Sequence, residues 1–363
     1  MAVSRINEAG LNVNQYGNRN LVINGAMQVA QRGTSSTGLG ASAGYFTCDR
    51  WKMDFNATAG RLTMSQTADG PAGFANCIKL DCTTADTSIA AGEYILLEQR
   101  FEGQDLQQIG KGTASAKELK LSFYVKANAA FTFGVELFDN DNTRQITKLF
   151  TTTTGWNRIE LTYPADTTGA FDDDNARSLL VTFWLHSGST YAGGTLNSSS
   201  WAGVTNANRA AGINSFFSST SNEFYLTGVQ LEVGDTATDF EHRTFADELA
   251  KCQRYFYSCG DGSTHVYEAF AYGNATTTGA LEALLEFPVI MRTIPAVAQV
   301  GNVHIGNGVV GHTISSLAIS SNQSGAKRAI IAAGGASGMT QFRAYRIEAN
   351  NDATARLNFS AEL

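Results

Sequence analysis

The chain has 363 residues, which is enough for two domains or three small ones, and charged residues make up only 16% of it. Glycine is abundant at 36 residues, proline is nearly absent at four, and aromatic residues reach 10%, a composition typical of an all-β protein with long turns. The net charge of −7 and the absence of a basic block argue against nucleic acid as the main partner.

The sequence also predicts neither a membrane-spanning segment nor a secretory signal. It has no apolar run long enough to span a bilayer, so we expect no membrane insertion, and its first residues lack the apolar region of a secretory signal. Its cysteines are odd in number and without C-x-x-C spacing, which predicts free thiols of a protein made in a reducing cytoplasm. Pairing of Cys77 with Cys82 across a strand is the alternative.

Residues 1–20 are polar, rich in asparagine and weakly patterned. Such a segment cannot bury a core by itself. We predict an attachment segment that becomes ordered against a neighbouring subunit, with a disordered tail as the alternative.

Residues 21–243 read as roughly ten short strands separated by turns of small polar residues. The segment KELKLSFYVKA alternates apolar and polar residues well, and a broken alternation around Asn24-Gly25 indicates a strand kinked at a turn or bulge. With no helical period between the strands, the pattern predicts a β-sandwich or jelly roll.

A strand and a helix follow at the end of this region. Tyr225–Val233 is predicted as a strand whose odd-numbered residues share one face. The helix is predicted over 244–257, because Thr244 is placed to cap it and acids in the first turn suit the helix dipole. Its apolar stripe consists of Phe245, Leu249, Cys252 and Phe256.

Six or seven further strands are predicted in residues 258–363. The complete fold prediction is therefore all-β: a jelly-roll/β-sandwich domain over 21–243, a short linker helix over 244–257, and a smaller antiparallel β-sandwich domain over 258–363.

The motif matches to enzymes are not supported by their context. Gly40–Gly44 matches G-x-S-x-G inside a flexible loop, although a nucleophile elbow needs a strand before it and a helix after it. Gly306–Gly311 matches G-x-G-x-x-G but is followed by strand-like residues. We therefore predict no catalytic residue and no cofactor.

The histidines show no metal-ligand spacing, so no metal site is predicted from them. The acidic run Asp172–Asp174 is either a calcium loop or a solvated turn.

Aromatic residues beside glycine-, serine- or asparagine-rich stretches are the remaining signal. An aromatic face next to amides and hydroxyls suits a sugar, which has an apolar ring face and a polar rim. The candidate ligand-binding residues are Tyr191, Trp201, Tyr267, Tyr272 and Tyr345. Ordinary core or rim positions are the alternative for each of them.

Several segments, in fixed order, resemble those of phage tail-fibre and related virion proteins. They are NLVINGAMQVAQRGTSS, YFTCDRW, LEQRFEGQDLQQIGKGTASAKELKLSFYVKA, DTTGAF with LLVTFWLHSGSTY, FYLTGVQLEVG with ATDFEHRTFADELAKCQRYF, and FPVIMRTIPAV. The resemblance runs from about Asn20 to Val297. In that family a carbohydrate-binding-module-like jelly roll is followed by a receptor-facing tip.

The resemblance implies a non-enzymatic virion protein, a tail-fibre-like homotrimer that binds a host-surface glycan or protein and contacts other virion proteins through residues 1–20. It also implies that the motif residues are structural, since Arg and Asp in such positions usually make buried bonds that fix loops. These residues are Asn24, Gln31, Arg32, Asp49, Arg50 and Trp51.

Two alternatives to this reading remain open. One is a purely structural decoration or connector protein of the head or tail, and the other is a glycan-degrading depolymerase. Because the sequence lacks the family's long adaptor and shaft, we expect attachment to another fibre protein or to the head as readily as to the tail tube.

Overall fold

The computed structural model describes residues 18–260, 262 and 264–363. The predicted attachment segment therefore lies outside the described residues, except for its last three positions. The chain divides into two units, one ending at Glu248 and also including Leu363, the other spanning Leu249–Glu362. This division falls within the segment 244–257 that the sequence assigns to a linker helix.

The first unit contains thirteen strands among its described residues. They are β1 (Ser35–Leu39), β2 (Gly44–Tyr45), β3 (Lys52–Asn56), β4 (Arg61–Thr67), β5 (Cys77–Thr84), β6 (Tyr94–Glu102), β7 (Leu119–Ala127), β8 (Thr132–Asp139), β9 (Arg144–Thr151), β10 (Asn157–Tyr163), β11 (Arg177–Ser187), β12 (Ala202–Gly203) and β13 (Glu223–Val233).

These strands form two antiparallel sheets that face each other across one core. One sheet has the order β1-β4-β5-β13-β7-β10 and the other has the order β12-β9-β8-β11-β6-β3-β2. Large aromatic side chains fill the space between them, and the rings of Phe123 and Phe183, one from each sheet, lie 5.1 Å apart. The predicted jelly-roll/β-sandwich is confirmed.

The alternation of side chains along β11 determines what each face of the second sheet presents. Leu179, Val181, Phe183 and Leu185 point into the core, so the intervening residues point to the opposite face. Those outward residues are nevertheless buried, because residues 189–214 fold back over this face of the sheet.

The strict alternation predicted for Tyr225–Val233 is wrong. The pairing of β13 with β7 shifts register between Thr227 and Gln230, which indicates a β-bulge at this point. Phe224 and Leu226 face the core before the bulge, and Val229 and Leu231 face it afterwards. Gly228 permits the bulge because its φ is +60°, a conformation that side chains with a Cβ rarely adopt.

The kinked strand predicted around Asn24-Gly25 is a turn. Asn24 and Met27 have φ values of 57° and 55°, which are incompatible with strand geometry. The segment is held instead by hydrogen bonds from the buried Asn24 side chain.

The predicted helix forms but is shorter than expected. The helices are α1 (Ser189–Ala192) and α2 (Phe245–Gln253), with 3₁₀ turns at Gly103–Asp105, Gln107–Ile109, Asn206–Asn208 and Phe216–Ser218. Thr244 caps α2 by accepting the Asp247 backbone N–H at 3.2 Å, as predicted.

The predicted apolar stripe of α2 is wrong at both ends. Phe245 is 57% exposed, whereas Glu248 is buried. Phe256 belongs to a strand instead, because it pairs with Ser360. No helix within the described ranges has the length and apolarity needed to cross a bilayer.

The second unit has more strands than the sequence predicts. They are β14 (Phe256–Cys259), β15 (Ala269–Ala275), β16 (Ala280–Glu286), β17 (Ala296–Val300), β18 (Val303–Gly306), β19 (Gly311–Thr313), β20 (Ser316–Ile319), β21 (Arg328–Gly334), β22 (Ala344–Ala349) and β23 (Arg356–Ser360). They form antiparallel sheets of order β14-β23-β17 and β19-β18-β22-β15-β16-β21-β20. The predicted smaller β-sandwich is confirmed.

All five cysteines are free thiols. Burial raises the pKa of the Cys82 thiol to about 11, so it stays protonated at neutral pH. Cys77 and Cys82 both lie on β5 and do not pair with each other.

Candidate functional site

The outward face of the second sheet forms the floor of a cavity of about 190 Å³. Because side chains alternate along each strand, β11 contributes Leu180, Thr182 and Trp184 to this floor. The residues that line the rest of the cavity are Asp54, Tyr94, Leu96, Glu98, Arg100, Phe138, Arg177, Tyr191 and Arg209.

Three aromatic rings form one wall of this cavity. The ring of Tyr191 lies 5.4 Å from the rings of both Tyr94 and Trp184. Helix α1 places Tyr191 over the sheet, and the Ala210 backbone N–H donates to its carbonyl at 2.9 Å. Trp184 is fully buried, while both tyrosines remain partly exposed, so the tyrosines offer the accessible aromatic surface.

The floor beside the aromatic wall is fixed by an ion pair. Arg209 donates two hydrogen bonds to the buried Glu136 carboxylate, at 2.8 and 2.7 Å, and its guanidinium lies 5.0 Å from the Trp184 ring centroid. Burial alone would lower the pKa of Arg209, but the charge of Glu136 outweighs burial and raises it. The aromatic wall is therefore rigid before any ligand arrives.

The cavity is also lined by an arginine without such a partner. Arg100 pairs with Glu98 at 2.6 Å, whereas the Arg177 side chain makes no hydrogen bond or ion pair with any described residue. Burial and the nearby Arg100 both lower the pKa of Arg177, yet a guanidinium stays charged at neutral pH. The site thus combines an aromatic wall with an unpaired cation, which suits a ligand with an apolar face and an acceptor group.

The predicted ligand-binding residues do not come together in one place. Tyr191 lines the cavity of the first unit, and Tyr267 lines a separate cavity of about 330 Å³ in the second unit, together with His304, Arg346 and Glu348. Tyr272 is 65% exposed on β15 and lines neither cavity.

Trp201 and Tyr345 do not fit the ligand-binding role predicted for them, because both are buried. Trp201 is 8% exposed, and its indole N–H donates to the Pro164 carbonyl at 2.8 Å. Tyr345 is 4% exposed, and its hydroxyl accepts the Thr340 backbone N–H at 2.9 Å. Both side chains serve packing and hydrogen bonding inside their own units.

The six motif residues, in contrast, lie close together beside the core of the first unit. Asp49 accepts hydrogen bonds from the backbone and side chain of Gln31 and lies 3.6 Å from Arg32. Asn24 donates to the Val29 and Asp49 carbonyls at 2.8 and 2.9 Å.

The two remaining motif residues extend this network. The Trp51 indole donates to the Asn24 carbonyl at 3.2 Å, and Arg50 donates to the Arg100 carbonyl at 2.5 Å. These contacts cross-link the turn at Asn24 to the residues directly before β3 and to β6, so the network fixes loop geometry.

The structure also brings together residues that the sequence analysis missed. Arg177, Trp184 and Arg209 come from β11 and from the segment that folds over it, and β11 reads in sequence as a continuous apolar run. The alternation of side chains along β11 places Trp184 and Phe183 on opposite faces of the sheet. Only the tertiary structure shows that both faces are buried, because residues 189–214 cover the outer one.

A second group missed from the sequence is Asp86, Glu93 and His186, whose donor atoms could together hold a metal ion. The acidic run Asp172–Asp174 does not belong to such a cluster in the described part of the chain. The histidine spacing gave no signal because the members of this group are separated by up to 100 residues in sequence.

The chain matches no known sequence family and no curated protein sequence. Among solved structures it is similar to a CBM4 module at 10% identity, TM-score 0.30, covering 58% of this chain and 97% of that one. It is similar to TmCBM61, solved in complex with β-1,4-galactotriose, at 8% identity, TM-score 0.31, covering 60% and 99%.

A further similarity is to the enzymatically active domain of tailspike protein 4 of bacteriophage CBA120, at 11% identity and TM-score 0.30. That match covers 59% of this chain and only 21% of the tailspike chain. Likenesses of this size are slight, and the sandwich fold of the first unit follows from its own strand pairing.

Proposed function

We propose that this chain is a non-enzymatic phage virion protein, an appendage of the tail-fibre type, whose first unit binds a glycan of the host-cell surface. The observation that carries the glycan proposal is the cavity over β6 and β11, which is lined by the Tyr94 and Tyr191 rings together with the unpaired Arg177. The virion proposal rests on the sequence motifs between Asn20 and Val297, which follow one another in the same order as in phage tail-fibre proteins.

The cavity has the chemical features that a sugar requires. A tyrosine ring packs against the apolar face of a pyranose, and fixed charged groups bind its hydroxyls. At about 190 Å³ the cavity is smaller than the roughly 300–1,000 Å³ typical of ligand pockets. It therefore suits the insertion of a single sugar residue. Arg177 favours a sugar that carries a carboxylate, because a guanidinium binds carboxylates with two parallel hydrogen bonds.

The second unit supplies the surface expected of an appendage that assembles with copies of itself. Val309 and Phe342 are 90% and 79% exposed, and Tyr267 and Tyr272 are also largely exposed. Contiguous exposed apolar side chains mark surfaces that contact partners, and Tyr267 and Val309 line the same cavity. We propose a homotrimer, in which these side chains contact neighbouring subunits or the receptor.

The glycan proposal is tested by probing an array of bacterial surface glycans with the full chain and with Arg177→Gln and Tyr191→Ala variants. Loss of a charge-assisted hydrogen bond of about 1.5–3 kcal/mol should weaken binding roughly 10- to 100-fold in Arg177→Gln. Arg328→Gln is the matched control, because Arg328 is exposed on β21 in the second unit, and it should bind like the natural chain.

Equal binding by Arg177→Gln and the natural chain would show that this cavity is not the site. A chain that binds no glycan and does not adsorb to host cells would instead be a decoration or connector protein. Shortening of a polysaccharide on incubation would point to a depolymerase. Light scattering tests the assembly: a trimer has three times the chain mass of 38.8 kDa and, if fibre-like, should resist SDS without heating.

A further inference from the structure

Three side chains with metal-ligand donor atoms, none of which lines the cavity over β6 and β11, meet inside the first unit. Asp86 follows the end of β5, Glu93 immediately precedes β6, and His186 is the second-last residue of β11. Strands β6 and β11 pair so that Ile95 lies opposite His186. Glu93 comes two residues before Ile95, which brings its side chain close to that of His186. Asp86 and Glu93 are each 5% exposed and His186 is fully buried, and their donor atoms all lie within 4.8 Å of one another.

In the described chain, neither Asp86 nor Glu93 is ion-paired with a lysine or arginine. Asp86 accepts hydrogen bonds from the Thr58 hydroxyl at 2.9 Å and the Ala59 N–H at 2.8 Å, and its side chain is also bonded to that of Glu93. Two adjacent buried carboxylates without a cation are strongly disfavoured.

Two other buried acids in the same unit are each paired with a lysine or an arginine. Lys111 lies 2.5 Å from Asp139, and Arg209 lies 2.7 Å from Glu136. The buried Glu232 also lacks such a cation and is bonded to Gln230 and Thr238, but Asp86 and Glu93 differ from it in lying beside each other and beside a histidine, which is the geometry of a cation site.

The orientation of His186 fits a metal ligand. Its Nδ1 lies 2.7 Å from the Ser215 hydroxyl, which also accepts the Phe217 N–H, and its Nε2 faces Glu93 Oε2 at 3.4 Å. A histidine ligand commonly has its other ring nitrogen bonded in this way.

The separation of the donor atoms also agrees with coordination. The Nε2–Oε2 separation of 3.4 Å is long for a hydrogen bond, which usually measures about 2.7–3.2 Å. A tetrahedral ion with bonds of about 2.0–2.1 Å holds its ligand atoms roughly 3.3–3.4 Å apart.

We propose that Asp86, Glu93 and His186 form a structural site for one divalent transition-metal ion, with Zn²⁺ as the best match to one imidazole and two carboxylates. The ion ties the connection between β5 and β6 to the end of β11. Water or a second carboxylate oxygen completes the coordination.

The test uses the full chain, stripped with a chelator and titrated with ZnCl₂ by calorimetry. One equivalent should bind, and zinc at about 100 times its Kd should raise the Tm by roughly 5–10 °C. Glu93→Gln keeps the shape of the side chain and removes its charge, so zinc affinity should fall at least about tenfold.

His304→Asn is the matched control, since His304 also contacts a glutamate, Glu348, at 3.1 Å, but that glutamate has Arg346 at 2.8 Å to balance it. This variant should bind zinc like the natural chain. X-ray absorption of the zinc-loaded protein should show one nitrogen ligand among oxygens.

Two results would overturn the proposal. One is an absence of saturable zinc binding by the stripped natural chain, a measurement that does not depend on any variant folding. The other is an unchanged affinity and an unchanged Tm gain in Glu93→Gln, which would leave Glu93 as a hydrogen-bond partner of His186 only.

Discussion

The two units bury different kinds of side chains. The first has an aromatic core and also buries charged groups, among them Arg50, Lys111 and Asp139. In the described residues of the second unit, the buried polar side chains are His312 and Glu348. Alanine makes up a large part of that unit's core, on β15, β16, β21 and β22.

This difference indicates that the first unit is stabilised partly by buried ion pairs, whereas the second unit has few of them. A buried charge is tolerated only where a partner is held in place, and the buried Lys111 accordingly ties its loop to Asp139 at the end of β8. The cavity at Arg177 lies within this rigid framework. The second unit has fewer such constraints and exposes apolar side chains such as Val309 and Phe342, which suits a surface that contacts partners.

The largest expected effect comes from removing the cation at the centre of a buried network. Lys111 is 2% exposed and lies 2.5 Å from Asp139 and 3.1 Å from Asp166. Lys111→Met keeps the apolar stem but leaves two buried acids short of a partner, so the free energy of unfolding should fall by about 3–5 kcal/mol. Urea unfolding followed by tryptophan fluorescence measures this change.

The corresponding change in the second unit should matter less. Arg346 pairs with Glu348 but is 34% exposed, so Arg346→Met should cost only about 1 kcal/mol. Equal losses in the two variants would remove the proposed distinction between the units.

A smaller effect is expected from the turn at Asn24. Its buried side chain makes three hydrogen bonds, two to carbonyls and one to the Val29 N–H at 3.0 Å. Asn24→Ala leaves these groups unsatisfied at a position with φ of 57°, and should cost roughly 2–4 kcal/mol. Chemical denaturation gives the value.

Asn307 provides the comparison in the second unit, because its exposed side chain accepts the N–H groups of Val309 and Val310. Asn307→Ala should cost less than about 1 kcal/mol. A near-neutral Asn24→Ala would show that the turn is held by packing alone.

The smallest expected effect is a dependence on acid. Burial alone would raise the pKa of Asp166, but hydrogen bonds from Arg144 and Lys111 outweigh burial and lower it below the usual 3.8. A lowered pKa stabilises the folded state above the usual value, and this stabilisation is lost as the pH falls through the folded-state pKa. The stability difference between the natural chain and Asp166→Asn should therefore shrink below about pH 4.

Urea unfolding at pH 7, 4 and 3 measures that difference. Asp352→Asn, in the second unit, is the control: hydrogen bonds from Asn302 and Thr354 lower the pKa of Asp352, but its carboxylate is solvent-exposed, so its contribution should be smaller. A constant difference for Asp166→Asn across this range would contradict the assignment.

The sequence by itself determined the features that depend on neighbouring residues. Turn residues between alternating strands predicted two β-sandwiches, and Thr244 with Asp247 marked the start of α2, because caps and strand periods are local. Of the predicted ligand-binding aromatics, Tyr191 lines the first unit's cavity and lies beside the glycines of its loop, and its ligand-binding role stays a prediction.

Only the tertiary structure decided which face of each element is buried and which distant residues meet. The bulge at Gly228 reverses the faces of β13, and burial removes Trp201 and Tyr345 from the candidate ligand-binding residues. Arg177 and the Asp86–Glu93–His186 cluster emerge only when β6 and β11 pair. Sheet pairing joins residues far apart in the chain, and a local pattern carries no information about that partner.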